Sequence, residues 1–84
     1  MEDKRIKWLC RRGMKELDLL METYFANNFP KQSDKRQQAF LKLLEYQDPT
    51  IVDLLFKRIK DEDEEINNLI SELLEIKIRN SAND

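Results

Sequence analysis

The sequence predicts an all-α fold, a small five-helix bundle that forms a single domain over residues 1–84. Apolar residues recur at helical spacing in five segments, and no stretch alternates apolar and polar residues as a half-buried strand would. The single glycine disfavours tight hairpin turns between strands. Hydrophobic residues make up 40% and charged residues 38%, a balance typical of a folded helical domain rather than a disordered chain.

The first two helices are predicted on either side of Gly13. The first runs from about Asp3 to Arg12 and directs Ile6, Leu9 and Cys10 inward, with Cys10 as a small buried apolar residue. Gly13 then stops the helix in the left-handed conformation that glycine adopts without steric cost. The second runs from about Met14 to Asn27, and its apolar stripe is interpreted as core rather than as a cofactor site: Leu17, Leu20, Met21, Tyr24 and Phe25.

The third and fourth helices are separated by Asp48-Pro49. Ser33 is predicted to be the N-cap of the third helix, which carries Phe40, Leu43 and Leu44 into the core. Asp48 is predicted to be the N-cap of the fourth helix, because Pro49 suits a first turn where its missing N–H does no harm. The fourth helix is expected to continue through a further apolar set: Ile51, Leu54, Leu55 and Ile59.

The fifth helix is predicted to follow the acidic run at residues 61–65. We interpret this run as a solvated helix start rather than a metal site, since carboxylates in a first turn complement the helix dipole. One face of the helix then carries the apolar residues Ile66, Leu69, Ile70, Leu73 and Leu74. Residues 80–84 are predicted to form a flexible tail.

The composition argues against several classes of function. The chain has no histidine and one cysteine, which removes the commonest acid–base residue, a zinc site and an internal disulfide. For these reasons we predict no metal site, and, because the chain also has no Gly-rich phosphate loop, we predict no enzyme activity. The net charge of −2, from 15 basic and 17 acidic residues, argues against a general nucleic-acid binder. No apolar run suggests membrane insertion, and a free thiol suits a reducing compartment such as the cytosol.

The basic first helix is the most informative candidate surface. In a continuous helix Arg5, Trp8 and Arg12 share one face, at i, i+3 and i+7, and Arg11 flanks it. Trp8 is the only tryptophan and has two interpretations. It is either a boundary residue whose ring packs under an arginine stem, or a binding hot spot of the kind that tryptophan and arginine commonly form.

The turn after this helix reads Arg12-Gly13-Met14-Lys15-Glu16 and also has two interpretations. In the structural one, Gly13 is a helix stop, Glu16 complements the dipole of the second helix, and Arg12 pairs with Glu16. In the functional one, Gly13 exposes backbone to a partner, Arg12 offers a fork to a carboxylate, and Glu16 offers an acceptor.

Residues 5–18, RIKWLCRRGMKELD, closely resemble the signature of the SdhE family, the bacterial succinate dehydrogenase flavinylation factors. Arg12, Gly13 and Glu16 match the R-G-x-x-E motif of that family. The resemblance continues to about Leu55 through Phe25, Leu43-Leu44-Glu45 and Asp48-Pro49. Two departures occur: Leu54 stands where many members have tryptophan, and Thr50 where many have an acidic residue.

The resemblance implies an assembly factor in the bacterial cytosol rather than a catalyst. Its expected partner is the flavoprotein subunit of succinate dehydrogenase, together with that of fumarate reductase. Members of the family promote covalent attachment of FAD to a histidine of that subunit, so we expect no tightly bound FAD here and attachment within the partner. The implied docking surface consists of Arg5, Trp8, Arg11, Arg12, Gly13, Glu16 and Asp18.

Two other functions stay open at this point. Some members of the family are described as antitoxins that act against a small membrane-associated toxin. The early basic helix is also compatible with a small DNA-binding domain, although the net charge and the lack of a clear helix-turn-helix register weigh against nucleic acid as a partner. We predict a monomer, with weak self-association through an exposed Trp–Arg patch as the alternative.

Overall fold

Five α-helices and one short 3₁₀ turn make up the computed structural model, which describes the backbone of residues 2–82 and the side chains of residues 4–77. No strand occurs within the described backbone, so the all-α prediction is confirmed. The elements follow in order: α1 (Glu2–Leu9), α2 (Lys15–Asn27), the 3₁₀ turn (Phe29–Lys31), α3 (Asp34–Leu43), α4 (Asp48–Leu55) and α5 (Glu64–Ala82).

The core lies where α5, the longest helix, packs against α2, α3 and α4. Phe40 of α3 is fully buried, and three aromatic rings surround it at centroid distances of 4.9, 5.5 and 6.4 Å: those of Tyr24, Phe29 and Phe25. The apolar stripe of α2 is therefore core, as predicted. The buried faces of α3 and α5 also match the prediction, with Leu43, Leu69 and Leu73 fully buried.

A network of polar side chains joins α2, α3 and α5 at the edge of this core. The carboxylate of Glu72 accepts hydrogen bonds of 2.6–3.3 Å from four side chains: Tyr24, Asn28, Gln32 and Arg36. Arg36 also bonds Glu65 through Nε at 2.7 Å. Burial, followed by the charge of Glu72, raises the pKa of the Tyr24 hydroxyl above its ordinary value. The network satisfies the one polar atom that Tyr24 carries into the core.

The start of α3 follows the prediction, whereas the ends of α1 and α4 do not. The Ser33 hydroxyl accepts a hydrogen bond from the Arg36 N–H at 3.3 Å, which confirms Ser33 as the N-cap of α3. Helix α1 ends at Leu9, three residues earlier than predicted. The inference that Arg5, Trp8 and Arg12 share one helical face is therefore wrong, because Arg12 lies in the α1–α2 loop.

Helix α4 differs from the prediction at both ends. Gln47, with an extended backbone, is its N-cap, and Asp48 is its first helical residue. The Asp48 carboxylate accepts a hydrogen bond from Arg12. The helix ends at Leu55 because Lys57 adopts a positive φ of 61°, which turns the chain away from a helical path. Ile59, predicted to be a core residue of this helix, is consequently exposed.

The acidic run forms a capped turn that leads into α5. The Asp63 carboxylate accepts the Glu65 N–H at 3.0 Å, and Asp61 accepts the Asp63 N–H at 2.8 Å. Nowhere in the described part of the chain do three or more possible metal ligands come together. The described helices include none that is both long and apolar enough to span a bilayer. The predicted tail at residues 80–84 overlaps the last turn of α5, and residues 83–84 lie outside the described residues.

Candidate protein-docking surface

Gly13 stands at the exposed turn between α1 and α2, with φ at +84°. L-residues rarely adopt this left-handed conformation, which glycine reaches without steric cost. A Cβ built on Gly13 meets no heavy atom of the described residues within 4 Å, so they do not crowd this backbone. The glycine is needed for its φ, as predicted, and its flank is open to a partner.

Arg12, just before this glycine, directs its guanidinium into the protein. Nε donates to Asp48 Oδ1 at 2.9 Å, and Nη1 donates to the carbonyl oxygens of Leu9 at 3.0 Å and Leu44 at 2.7 Å. Nη2 donates to the carbonyl oxygen of Tyr46. Only 11% of the Arg12 side chain is exposed. We call this set of contacts the arginine clamp; it ties the α1–α2 loop to the turn between α3 and α4.

Asp18 holds the same loop from the other side. Its carboxylate accepts the backbone N–H of Arg12, and its own N–H donates to the Met14 carbonyl at 2.9 Å. The predicted Arg12–Glu16 ion pair is wrong, because Asp48 takes the guanidinium and the Glu16 side chain is exposed. The two ionic residues of the R-G-x-x-E motif therefore point to different places: Arg12 inward and Glu16 to the surface.

Trp8 and Arg11 line an open groove between α1 and α2. The groove has a volume of about 270 Å³, and its other lining residues are Lys4, Lys7 and Glu22. Trp8 is 72% exposed, so the interpretation of Trp8 as a boundary residue packed under an arginine is wrong. Its role as a binding hot spot stays a prediction. Basic side chains beside an exposed indole suit a partner surface that combines apolar and acidic groups.

The remaining predicted surface residues, Arg5, Gly13 and Glu16, are all exposed. With Trp8 and Arg11 they form what we call the corner surface. Their types are complementary, because the guanidinium groups of Arg5 and Arg11 bind acceptors, whereas Glu16 accepts from donors. Arg12 and Asp18, predicted for the same surface, instead have internal hydrogen-bond partners.

Two apolar residues of this region were missed by the sequence analysis. Met14 precedes α2 and is exposed, and Leu19 in α2 is 60% exposed. Leu19 lies three residues after Glu16, so the two side chains share one face of the helix. The sequence carried a signal, since Leu19 falls outside the apolar stripe of α2 and a leucine on the polar face has no core role. Both residues extend the apolar part of the corner surface.

Cys10 lies beneath this surface and is fully buried, as predicted. Burial, with the nearby charges of Glu22 and Asp18, raises the pKa of its thiol to about 11. The thiol is therefore protonated at neutral pH and shielded from solvent, so it serves packing rather than chemistry.

Comparison with known proteins gives one consistent result. The family model described as flavinator of succinate dehydrogenase matches residues 4–77. A protein of Yersinia pseudotuberculosis named FAD assembly factor SdhE is 38% identical over 66 residues, which cover 79% of this chain and 75% of the relative. The protein of that name from Coxiella burnetii is 33% identical over 73 residues, covering 87% of this chain and 89% of the relative. That of Pectobacterium atrosepticum is 36% identical over 67 residues, covering 80% and 76%.

The matched range contains both the corner surface and the arginine clamp, together with the core of all five helices. Similarity thus extends far beyond the short R-G-x-x-E motif, and the resemblance seen in the sequence is confirmed. The chain belongs to the SdhE family, the flavinators of succinate dehydrogenase.

Proposed function

We propose that this chain is an assembly factor that binds the flavoprotein subunit of succinate dehydrogenase and promotes its covalent flavinylation with FAD. The observation that carries the proposal is the corner surface of a family member: an exposed tryptophan and an uncrowded glycine backbone, held in place by bonds to the rest of the fold. Trp8 provides the apolar anchor, and Arg5, Arg11 and Glu16 provide polar contacts around it.

The chemical step belongs to the partner in this proposal. The chain carries no histidine to accept the flavin, so its contribution is to favour one conformation of the flavoprotein. A binding protein shifts such an equilibrium by as much as its affinities for the two conformations differ. Docking at the corner surface would favour the state in which the flavoprotein's own histidine attacks the flavin, and the chain would act without catalysing the step.

Several finer points belong to the same proposal. The flavoprotein subunit of fumarate reductase is a second partner, since a surface that recognises one flavoprotein suits a related one. FAD is attached within the partner, and this chain holds none tightly. It works as a monomer in the bacterial cytosol, so that the corner surface stays open for the flavoprotein.

The experiment is in-gel flavin fluorescence of the succinate dehydrogenase flavoprotein, in cells that lack this gene and are complemented with variants. We expect flavin attachment to fall on deletion and to be restored by the wild type but not by Gly13→Arg. Gly13→Asn is the matched control for backbone strain, because asparagine tolerates the left-handed region better than other L-residues and adds far less bulk. It should restore much of the flavin attachment.

Two results would contradict the proposal. Unchanged attachment after deletion would remove the assembly function from this chain. Full restoration by Gly13→Arg would show that the partner does not approach the glycine, and the docking site would have to lie elsewhere. Circular dichroism of each purified variant shows whether a loss of attachment arises from unfolding.

A further inference from the structure

We propose that Arg12, the arginine of the motif, is a positioning residue rather than a docking contact. Asp48 and the α3–α4 turn hold Arg12, and through it they keep the corner surface in the conformation that binds the partner. This inference rests on the proposed function. The α3–α4 turn, which lies outside the motif, thereby affects binding without contacting the partner.

The hydrogen-bond capacity of Arg12 is the first argument. A guanidinium has five N–H donors, and the guanidinium of Arg12 donates four hydrogen bonds to acceptors within this chain. A forked contact with an external carboxylate needs two parallel donors along one edge of the group. Both forked edges of Arg12 already carry internal bonds, so the group has no free fork for a partner.

The nature of the acceptors is the second argument. Helix α3 ends at Leu43, and the carbonyl groups of Lys42 and Leu43 accept the N–H groups of Glu45 and Tyr46 in the turn that follows. Arg12 binds the carbonyl oxygens of Leu44 and Tyr46 just past that end, where the helix dipole also favours a cation. Asp48 then neutralises the charge at 2.9 Å. An ammonium group lacks the planar fork that serves several directions at once, so lysine is a poor substitute here.

The effect of the clamp on the corner surface is the third argument. The contacts join residues 32 to 36 positions apart, and Asp18 fixes the Arg12 backbone from α2. Gly13 and Met14 lie directly after this anchored residue, and Trp8 lies four residues before it, at the end of α1. When the clamp is released, the loop that carries the corner surface loses its link to the α3–α4 turn. Exposed groups bind tightly only when they are already in place, because ordering them on binding costs free energy.

The experiment measures the affinity of the purified chain for the purified succinate dehydrogenase flavoprotein by calorimetry, beside thermal unfolding. Asp48→Asn keeps the size of the side chain and removes its charge, and Arg12→Lys keeps the charge and removes the fork. We expect Arg12→Lys to raise Kd about tenfold and Asp48→Asn to raise it by a smaller factor, because the three carbonyl bonds of Arg12 remain in Asp48→Asn. The double variant should raise Kd no further than Arg12→Lys alone, because both residues act through one clamp. Glu72→Gln is the matched control: it weakens the fold within the distant α2–α3–α5 network and should leave Kd unchanged.

The result that would overturn the inference is a raised Kd for Arg12→Lys with an unchanged Kd for Asp48→Asn, because Arg12 would then contact the partner directly. A raised Kd for Glu72→Gln would overturn it too, since loss of stability alone would then explain the effect. Failure of the proposed function looks different: the wild-type chain would show no binding, and Gly13→Arg would change nothing.

A second measurement uses the wild-type chain and needs no variant to fold. Phenylglyoxal modifies accessible guanidinium groups, and peptide mass spectrometry distinguishes the neighbours Arg11 and Arg12. Arg11 is exposed, whereas the Arg12 side chain is 11% exposed and donates four hydrogen bonds within the chain. We expect Arg11 to react at least ten times faster than Arg12 in the free protein. Equal rates would show that the clamp is open in solution and would overturn the inference.

Discussion

The α1–α2 corner and the α2–α3–α5 network both depend on one inward-facing arginine, but they use it differently. Arg36 bonds two carboxylates, at 2.6 and 2.7 Å, across a core whose apolar side chains are covered. Arg12 bonds mainly backbone carbonyls, and three apolar side chains within seven residues of it are exposed, those of Trp8, Met14 and Leu19. The first region gains stability from burial. The second holds a loop in place while leaving its apolar groups free, which suits a surface built for a partner.

The largest expected effect falls on the covered region. Phe40→Ala removes the ring at the centre of the aromatic cluster and should cost about 3–5 kcal/mol of unfolding free energy. In a domain of 84 residues this is a large fraction of the total, and much of the protein should be unfolded at 37 °C. Urea denaturation followed by circular dichroism gives the value. A cost below about 1 kcal/mol would show that the cluster is not the centre of the core.

Trp8→Ala tests the exposed region and should reverse that pattern. We expect the unfolding free energy to change by less than about 0.5 kcal/mol, because the ring is 72% exposed. Affinity for the flavoprotein should fall roughly 30-fold, the loss of about 2 kcal/mol that defines a hot spot. Phe56→Ala is the matched control, since Phe56 is 60% exposed but lies beyond α4. Equal losses of affinity for both variants would break the distinction between the regions.

Glu72→Gln tests how much the α2–α3–α5 network contributes to the stability of the fold. The variant weakens the acceptor of four hydrogen bonds and leaves Arg36 with one carboxylate, so roughly 2 kcal/mol of unfolding free energy should be lost. Asp53→Asn, which breaks the exposed pair of Asp53 with Arg58, should cost less than about 0.5 kcal/mol. Chemical denaturation of both variants checks the difference. Equal costs would mean that the network behaves as a surface ion pair.

The smallest effect is a pH dependence that arises beneath the corner surface. The pKa of Cys10 rises from about 9 to about 11 on folding, because burial disfavours the thiolate. The folded state therefore keeps this stabilisation below pH 9 and loses it as the pH rises toward 11. Denaturation between pH 8 and 11 should show a steeper decline for the wild type than for Cys10→Ala. Parallel declines would exclude the thiol as the cause.

Local patterns in the sequence were sufficient for most of the fold. The stripes of α2, α3 and α5 follow from helical spacing, and the start of α3 follows from a serine that can cap it. The wrong boundaries were those that depend on groups far along the chain or on an unusual backbone. The Asp48 carboxylate bonds Arg12, which lies 36 residues away in the sequence, and Gln47 takes the N-cap position of α4. Helix α4 ends because Lys57 has a positive φ, and a lysine in the sequence does not predict a positive φ.

The residue types of the candidate surface were predictable from the sequence, and the directions of their side chains were less so. Gly13 and Glu16 are exposed, as the functional interpretation of the motif expects, and Trp8, for which the sequence left two interpretations, is exposed as well. Arg12 points inward because its acceptors are carbonyls of the turn between α3 and α4. Backbone carbonyls leave no trace in a sequence, since every residue has one. From the sequence alone, the arginine of the motif is therefore compatible with a contact to the partner or with internal hydrogen bonds that hold the loop.

The open flank at Gly13 has a consequence for stereochemistry. With φ at +84° and no heavy atom of the described residues within 4 Å of an added Cβ, the constraint at this position is one of handedness rather than of space. Residues of the D configuration favour positive φ, which is why they are used in designed turns. A synthetic chain carrying D-alanine at position 13 should therefore keep the native turn. Handedness thus separates what the fold requires of this residue from what a partner requires of it.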